Sequence, residues 1–130
     1  MHAHNHTHCL TSLNAMMTSK FYKLGTVIAG RVGLLHETQM KSFKHHFGIN
    51  PLVCDVICER VKAEQNLVVS RLHLLWALYF LCCYPKVKTI RKLFEVDIKT
   101  FRKHTGKIIL YVKNLKVVSV CAYFFICLVH

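Results

Sequence analysis

From residue 71 to residue 84 almost every side chain is apolar: Leu72, Leu74, Leu75, Trp76, Ala77, Leu78, Tyr79, Phe80 and Leu81 leave no polar face for water. A helix with one apolar stripe can lie on a surface, but a helix apolar all round has to be enclosed by other elements or by lipid. Length argues against lipid, because the run falls short of the roughly 20 residues a bilayer crossing needs, and His73 and Pro85 flank it. The segment is expected to form the central core helix. The rest of the chain then has to supply the helices that cover it.

Those covering segments carry helical signals on both sides. Residues 37–47 read as a helix stopped at Gly48, a residue that tolerates the left-handed C-terminal conformation. Asn50 is placed to cap a second helix, Pro51 suits its first position, and Leu52, Val53, Val56, Ile57 and Val61 recur at helical spacing until the polar break at residues 62–66. After Pro85 a short amphipathic helix sets Val87, Ile90, Leu93 and Phe94 against Lys86, Lys88, Arg91 and Lys92. A turn at residues 95–97 follows. Asp97 is a good N-cap, and Ile98, Phe101, Thr105, Ile108, Val112 and Leu115 then repeat at intervals of three and four, a helix running to about Leu115. The expected fold is all-α: a compact helical domain of about five helices over residues 34–116, ending in a helix-turn-helix-like pair. Residues 1–33 read as a flexible His-rich leader, because Gly25, Gly30 and Gly33 interrupt their one apolar patch. Residues 117–130 read as an apolar tail.

Charge narrows the function. Of the 130 residues, 18 are Lys or Arg and only 6 are Asp or Glu, a formal net charge of +12. That excess calls for a polyanionic partner, either nucleic acid or an anionic membrane surface. Ten of the cations and only two acids, Glu95 and Asp97, fall between Lys86 and Lys116, so this segment alone carries +8. Two amphipathic helices joined by a three-residue turn match the helix-turn-helix pattern. On the second of them Lys99, Arg102, Lys103, Gly106 and Lys107 are spaced i, i+3, i+4, i+7 and i+8, which puts all five on one face opposite the apolar stripe. Lys88, Arg91 and Lys92 extend the cationic surface onto the first helix. A lone lysine-rich face is often only solvated surface. Here the turn, the stripe and the local concentration of charge together point to DNA phosphates. No Asn or Gln lies on the stripe and Arg102 alone offers a fork for guanine, so backbone contacts are expected to dominate over base readout. Gly106 costs about 1 kcal/mol of helix propensity relative to alanine, which fits either close approach to a phosphate backbone or a kink.

An internal echo supports the helical picture: Lys41, Ser42, Phe43, Lys44, Phe47 and Ile49 align at a constant offset of 47 with Lys88, Thr89, Ile90, Arg91, Phe94 and Val96. The helix following the first copy carries Asp55 and Glu59 in place of a basic stripe, and is expected to serve packing.

Three segments carry a family resemblance. The run Phe47-Gly48-Ile49-Asn50-Pro51-Leu52-Val53-Cys54, then His73-Leu74-Leu75-Trp76-Ala77-Leu78-Tyr79-Phe80-Leu81 with Tyr84-Pro85, then Lys99-Thr100-Phe101-Arg102-Lys103 resembles, in order and spacing, the N-terminal helical region of PIF/Harbinger-type transposases. The likeness covers residues 43–115. It implies association with DNA or help in assembling the transposition complex, with other transposase chains as further partners; the cysteine usage and the polar, His-rich N-terminus are what point to an intracellular protein, nuclear or cytoplasmic. In that family the helical region precedes an RNase H-like nuclease domain whose three acidic residues bind divalent metal. Here the sequence continues into the apolar tail, and its only aspartates are Asp55 and Asp97. No catalytic residues carry over. The expectation is a non-catalytic module, without a cofactor, from a transposase gene cut short before its nuclease domain.

Competing signals are weaker. His2, His4, His6, His8 and Cys9 could bind a borderline metal ion, but a tract without supporting hydrogen bonds to its ligands reads as adventitious. The seven cysteines Cys9, Cys54, Cys58, Cys82, Cys83, Cys121 and Cys127 show neither a disulfide framework nor the paired spacing of a zinc site, and read as reduced core thiols. Nothing pairs a cysteine with a histidine base, and no glycine-rich phosphate loop opens a helix. Two alternatives to the DNA-binding module stay open: an assembly or interaction remnant of a transposase, and a basic membrane-surface protein held by the tail. The membrane reading is disfavoured because Lys113 and Lys116 would have to enter the bilayer if the span were extended.

Overall fold

The computed structural model describes residues 15–16, 18–30 and 39–115, and in these the chain is all-helical. Six helices follow one another: α1 Lys20–Gly30, α2 Gln39–Phe47, α3 Pro51–Gln65, α4 Arg71–Cys83, α5 Val87–Phe94 and α6 Ile98–Lys113. The His-rich tract and the tail beyond residue 115 lie outside the described residues.

Local chemistry sets the helix ends. Asn50 is extended, and its Oδ1 accepts a hydrogen bond from the Val53 amide at 2.9 Å while Pro51 takes the first helical position. The Asp97 carboxylate does the same for α6, accepting from the Thr100 amide at 3.2 Å and from its hydroxyl at 2.7 Å. Gly48 closes α2 in the left-handed region, at φ 80°. Asn66, Tyr84 and Glu95 end α3, α4 and α5 in the same conformation. Their amides bond back to the carbonyls of Lys62, Phe80 and Arg91 at 3.0–3.1 Å.

α4 is enclosed as its composition demands. Six consecutive residues from Leu74 to Tyr79 are buried, something only a helix covered on several sides can show. It packs most extensively on α6, and also on α2 and α1. The 47-residue offset recurs in three dimensions. α2 and α5 each lead through a three-residue turn, opened by a left-handed residue (Gly48, Glu95) and closed by a side-chain cap (Asn50, Asp97), into a long helix. Phe47 and Phe94, equivalent under the offset, both meet the ring of Tyr79 edge-on, with centroids at 6.3 and 5.5 Å. Tyr79 thus contacts the last residue of both α2 and α5.

The mobile leader expected through residue 33 has to be corrected, since α1 belongs to the core. Phe21 is fully buried, Tyr22 and Ile28 are buried, and the Ser19 hydroxyl donates to Asp55 Oδ2 at 3.0 Å. Phe21, Leu24 and Ile28 do recur at helical spacing. Gly25 looked like a breaker, yet it sits where a Cβ would overlap the ring of Phe43. It lets α1 and α2 approach closely. Within residues 34–116 the described residues form five helices, as expected, the last ending at Lys113, and Asp55 is half-buried where it accepts from Ser19.

Candidate nucleic-acid interface

α5 and α6 sort their residues by face. On α5, Ile90, Leu93 and Phe94 are buried, while Lys88, Arg91 and Lys92 are exposed. On α6, Phe101, Thr105, Ile108 and Val112 are buried, and Lys99, Arg102, Lys103, Gly106 and Lys107 are all exposed. All seven cations anticipated for the interface therefore point to solvent. Thr105, the one polar residue in the buried stripe, donates to the Phe101 carbonyl at 2.9 Å, so no hydroxyl is orphaned.

Of the two acids in the segment, Asp97 is engaged in capping. Bonds from Thr100, side chain first and then backbone, hold its carboxyl below the usual aspartate value. The carboxylate sits at the N-terminus of α6, where the helix dipole favours it, one turn from Arg102. The face beyond it carries no acid up to the C-terminal end of the helix at Lys113.

α6 runs unbroken through Gly106, and a Cβ built there would meet none of the described residues within 4 Å. One turn further along the same face stands Leu110, 53 % exposed, followed by exposed Lys113. Sequence reasoning passed over Leu110 because its three- and four-residue spacing was counted for the buried stripe only. A second feature had no local signal at all. His104, at the edge of the cationic face, stacks on His73 of α4 with centroids 3.9 Å apart and planes within 15°, and Trp76 lies 4.8 Å from His73.

Burial, and then the like charge of His104, lower the pKa of His73 below its ordinary 6.5. The unfolded chain accordingly takes up a proton at this position more readily than the folded one. The sign follows: the stability this histidine protects is complete above its unfolded pKa and is lost as pH falls through the depressed folded value. A melting series from pH 7.5 to 5.0 is expected to show a smaller acid-induced drop in Tm for His73→Gln than for wild type. An identical drop would mean the stack is not proton-sensitive.

The thiols only partly match the expected core cysteines. Cys54 is buried and Cys58 half-buried; burial, followed by neighbouring charge, raises both pKa values, that of Cys58 to about 11. Cys82 and Cys83 are a correction, because they close α4 near the surface, where Cys83 is exposed and Cys82 half-buried. Their S–H groups donate to the carbonyls of His45 and His46 at 3.5 and 3.6 Å, so it is backbone oxygen and not imidazole that meets the sulfur. Among the described residues no three His, Cys, Asp or Glu side chains converge on a possible metal position, and no helix is long and apolar enough to cross a membrane.

Comparison with known proteins adds no assignment: no family model, no curated protein and no solved structure matches this chain.

Proposed function

We propose that this protein is a non-catalytic DNA-binding module whose interface is the α5–α6 helix-turn-helix, with Lys99, Arg102, Lys103 and Lys107 on α6, and Lys88, Arg91 and Lys92 on α5, contacting phosphates. The observation that carries this reading is that α6 exposes four cations along one uninterrupted face, while the nearby Asp97 is occupied in capping. Long cationic side chains on a helix braced by α4 fit the sequence-independent part of duplex recognition. The segments that resemble the N-terminal region of Harbinger-type transposases coincide with α4, α6 and the turn before α3. On that resemblance the protein is transposase-derived and acts in the nucleus.

The test is fluorescence anisotropy of a labelled duplex of about 30 base pairs, titrated with the full chain at several salt concentrations. Each phosphate contact contributes about 0.9 to the slope of log K against log salt. Arg102→Ala/Lys103→Ala is expected to bind more weakly and to flatten that slope by about two units. If the wild type ignores DNA at low salt, or the double variant matches it, the stripe is solvated surface and the reading fails.

A further inference from the structure

Two helical glycines in this protein stand in opposite situations. Gly25 is required from within, because a side chain there would strike Phe43, whereas a Cβ at Gly106 would meet none of the described residues within 4 Å. Gly106 lies in ordinary helical backbone inside α6, so neither an unusual φ nor internal packing asks for a glycine. A glycine disfavours an exposed helix, and here the described residues offer no compensation. Close approach by a binding partner is the role that fits it.

The surroundings describe that visitor. Arg102 and Lys103 flank Gly106 one turn before, Lys107 is beside it, and Leu110 and Lys113 follow one and two turns after, all of them exposed. The centre of the face is thus bare backbone followed by an apolar side chain, 53 % exposed, with cations around both. A helix that skirted a phosphate backbone would use only its long cationic side chains, and bare helix at the centre would gain it nothing. A helix inserted in a groove brings its own backbone close to the base edges and its cations to the phosphates on either rim. The major groove of B-DNA, about 12 Å wide, admits an α-helix, and the apolar feature it presents is the thymine methyl group.

We infer that α6 enters the major groove of duplex DNA, with Gly106 at the closest approach and Leu110 against a thymine methyl. This rests on the DNA-binding reading above and adds direct base contact to it.

The experiment titrates the full chain against a 30-base-pair duplex containing thymine and against the same duplex with every thymine replaced by uracil, which removes only the methyl groups. The proteins are wild type, Gly106→Ala, Gly106→Met, Leu110→Ala and Arg102→Ala/Lys103→Ala. Alanine and methionine both favour helix, so the Gly106 variants are expected to fold, which circular dichroism checks. Affinity should fall about threefold with alanine and tenfold or more with methionine, at an unchanged salt slope. Wild type should bind the uracil duplex several-fold more weakly, a difference that Leu110→Ala removes. If Gly106→Met binds like wild type, or uracil makes no difference to wild type, while the Arg102/Lys103 variant is still impaired, groove insertion is overturned and phosphate contact stands. Absence of any wild-type binding overturns both.

Discussion

Phe101→Ala is expected to cost about 3–5 kcal/mol, the usual loss when a buried aromatic ring is cut back to a methyl group. Phe101 is fully buried on α6, with its ring centroid 5.6 Å from Trp76, 5.5 Å from Phe94 and 6.2 Å from Phe80. It therefore ties α6 to α4 and α5 at once. The void would be bounded by stiff rings on three sides, which relax inward less readily than flexible aliphatic chains. Domains of this size are commonly stable by only about 5–15 kcal/mol, so the variant could lose a large share of the total. Thermal melts followed by circular dichroism should show Tm lowered by about 4–8 °C for each kcal/mol lost. A change of only a few degrees would mean that the aromatic cluster collapses around the gap and that α6 is held mainly by other contacts. Because the cationic face stands on the opposite side of the same helix, a destabilised α6 should also weaken the DNA binding proposed above. Residual binding by the variant is therefore best measured well below its own Tm.

What the sequence disclosed and what it hid divide along a physical line. The apolar run of α4, the caps Asn50 and Asp97, the stop at Gly48 and the cationic stripe of α6 all depend on residues within one or two helical turns of each other. Such signals are written in spacing and residue type alone. α1 was hidden because the explanation for Gly25 is the Phe43 ring on another helix, and a glycine before a tight contact looks locally the same as a glycine before a loop. The His73–His104 stack joins helices that neither residue could foresee. Cys82 and Cys83 looked like core because they continue an apolar run, but a helix emerges from its core at its end. At Gly106 the sequence left two explanations open, close approach or a kink. The unbroken helix argues against a kink, and none of the described residues stands in the way of close approach.

Gly25→Leu is the complementary expectation at the α1–α2 contact. The new Cβ would overlap the Phe43 ring and come within 3.1 Å of Phe47 Cε2. Neither ring can readily yield. Phe43 and Phe47 are essentially unexposed and packed on each other at 4.8 Å, and Phe47 is further held by Tyr79 at 6.3 Å. Overpacking of this kind costs about 1–3 kcal/mol, more than the roughly 1 kcal/mol of helix propensity that replacing a glycine returns. The sign is therefore destabilising, and the protein can relieve the clash only by moving α1 away from α2. That movement would uncover Phe21 and Ile28, so limited proteolysis should cut the variant ahead of Gln39 faster than wild type, alongside a lower Tm. Gly106→Ala supplies the contrast: with none of the described residues within 4 Å of its Cβ, it should gain about 1 kcal/mol from propensity alone. Opposite shifts for substitutions at the two glycines would establish that α1 is an integral layer of the core. If Gly25→Leu melts and resists protease like wild type, α1 does not pack on Phe43, and the core begins at α2.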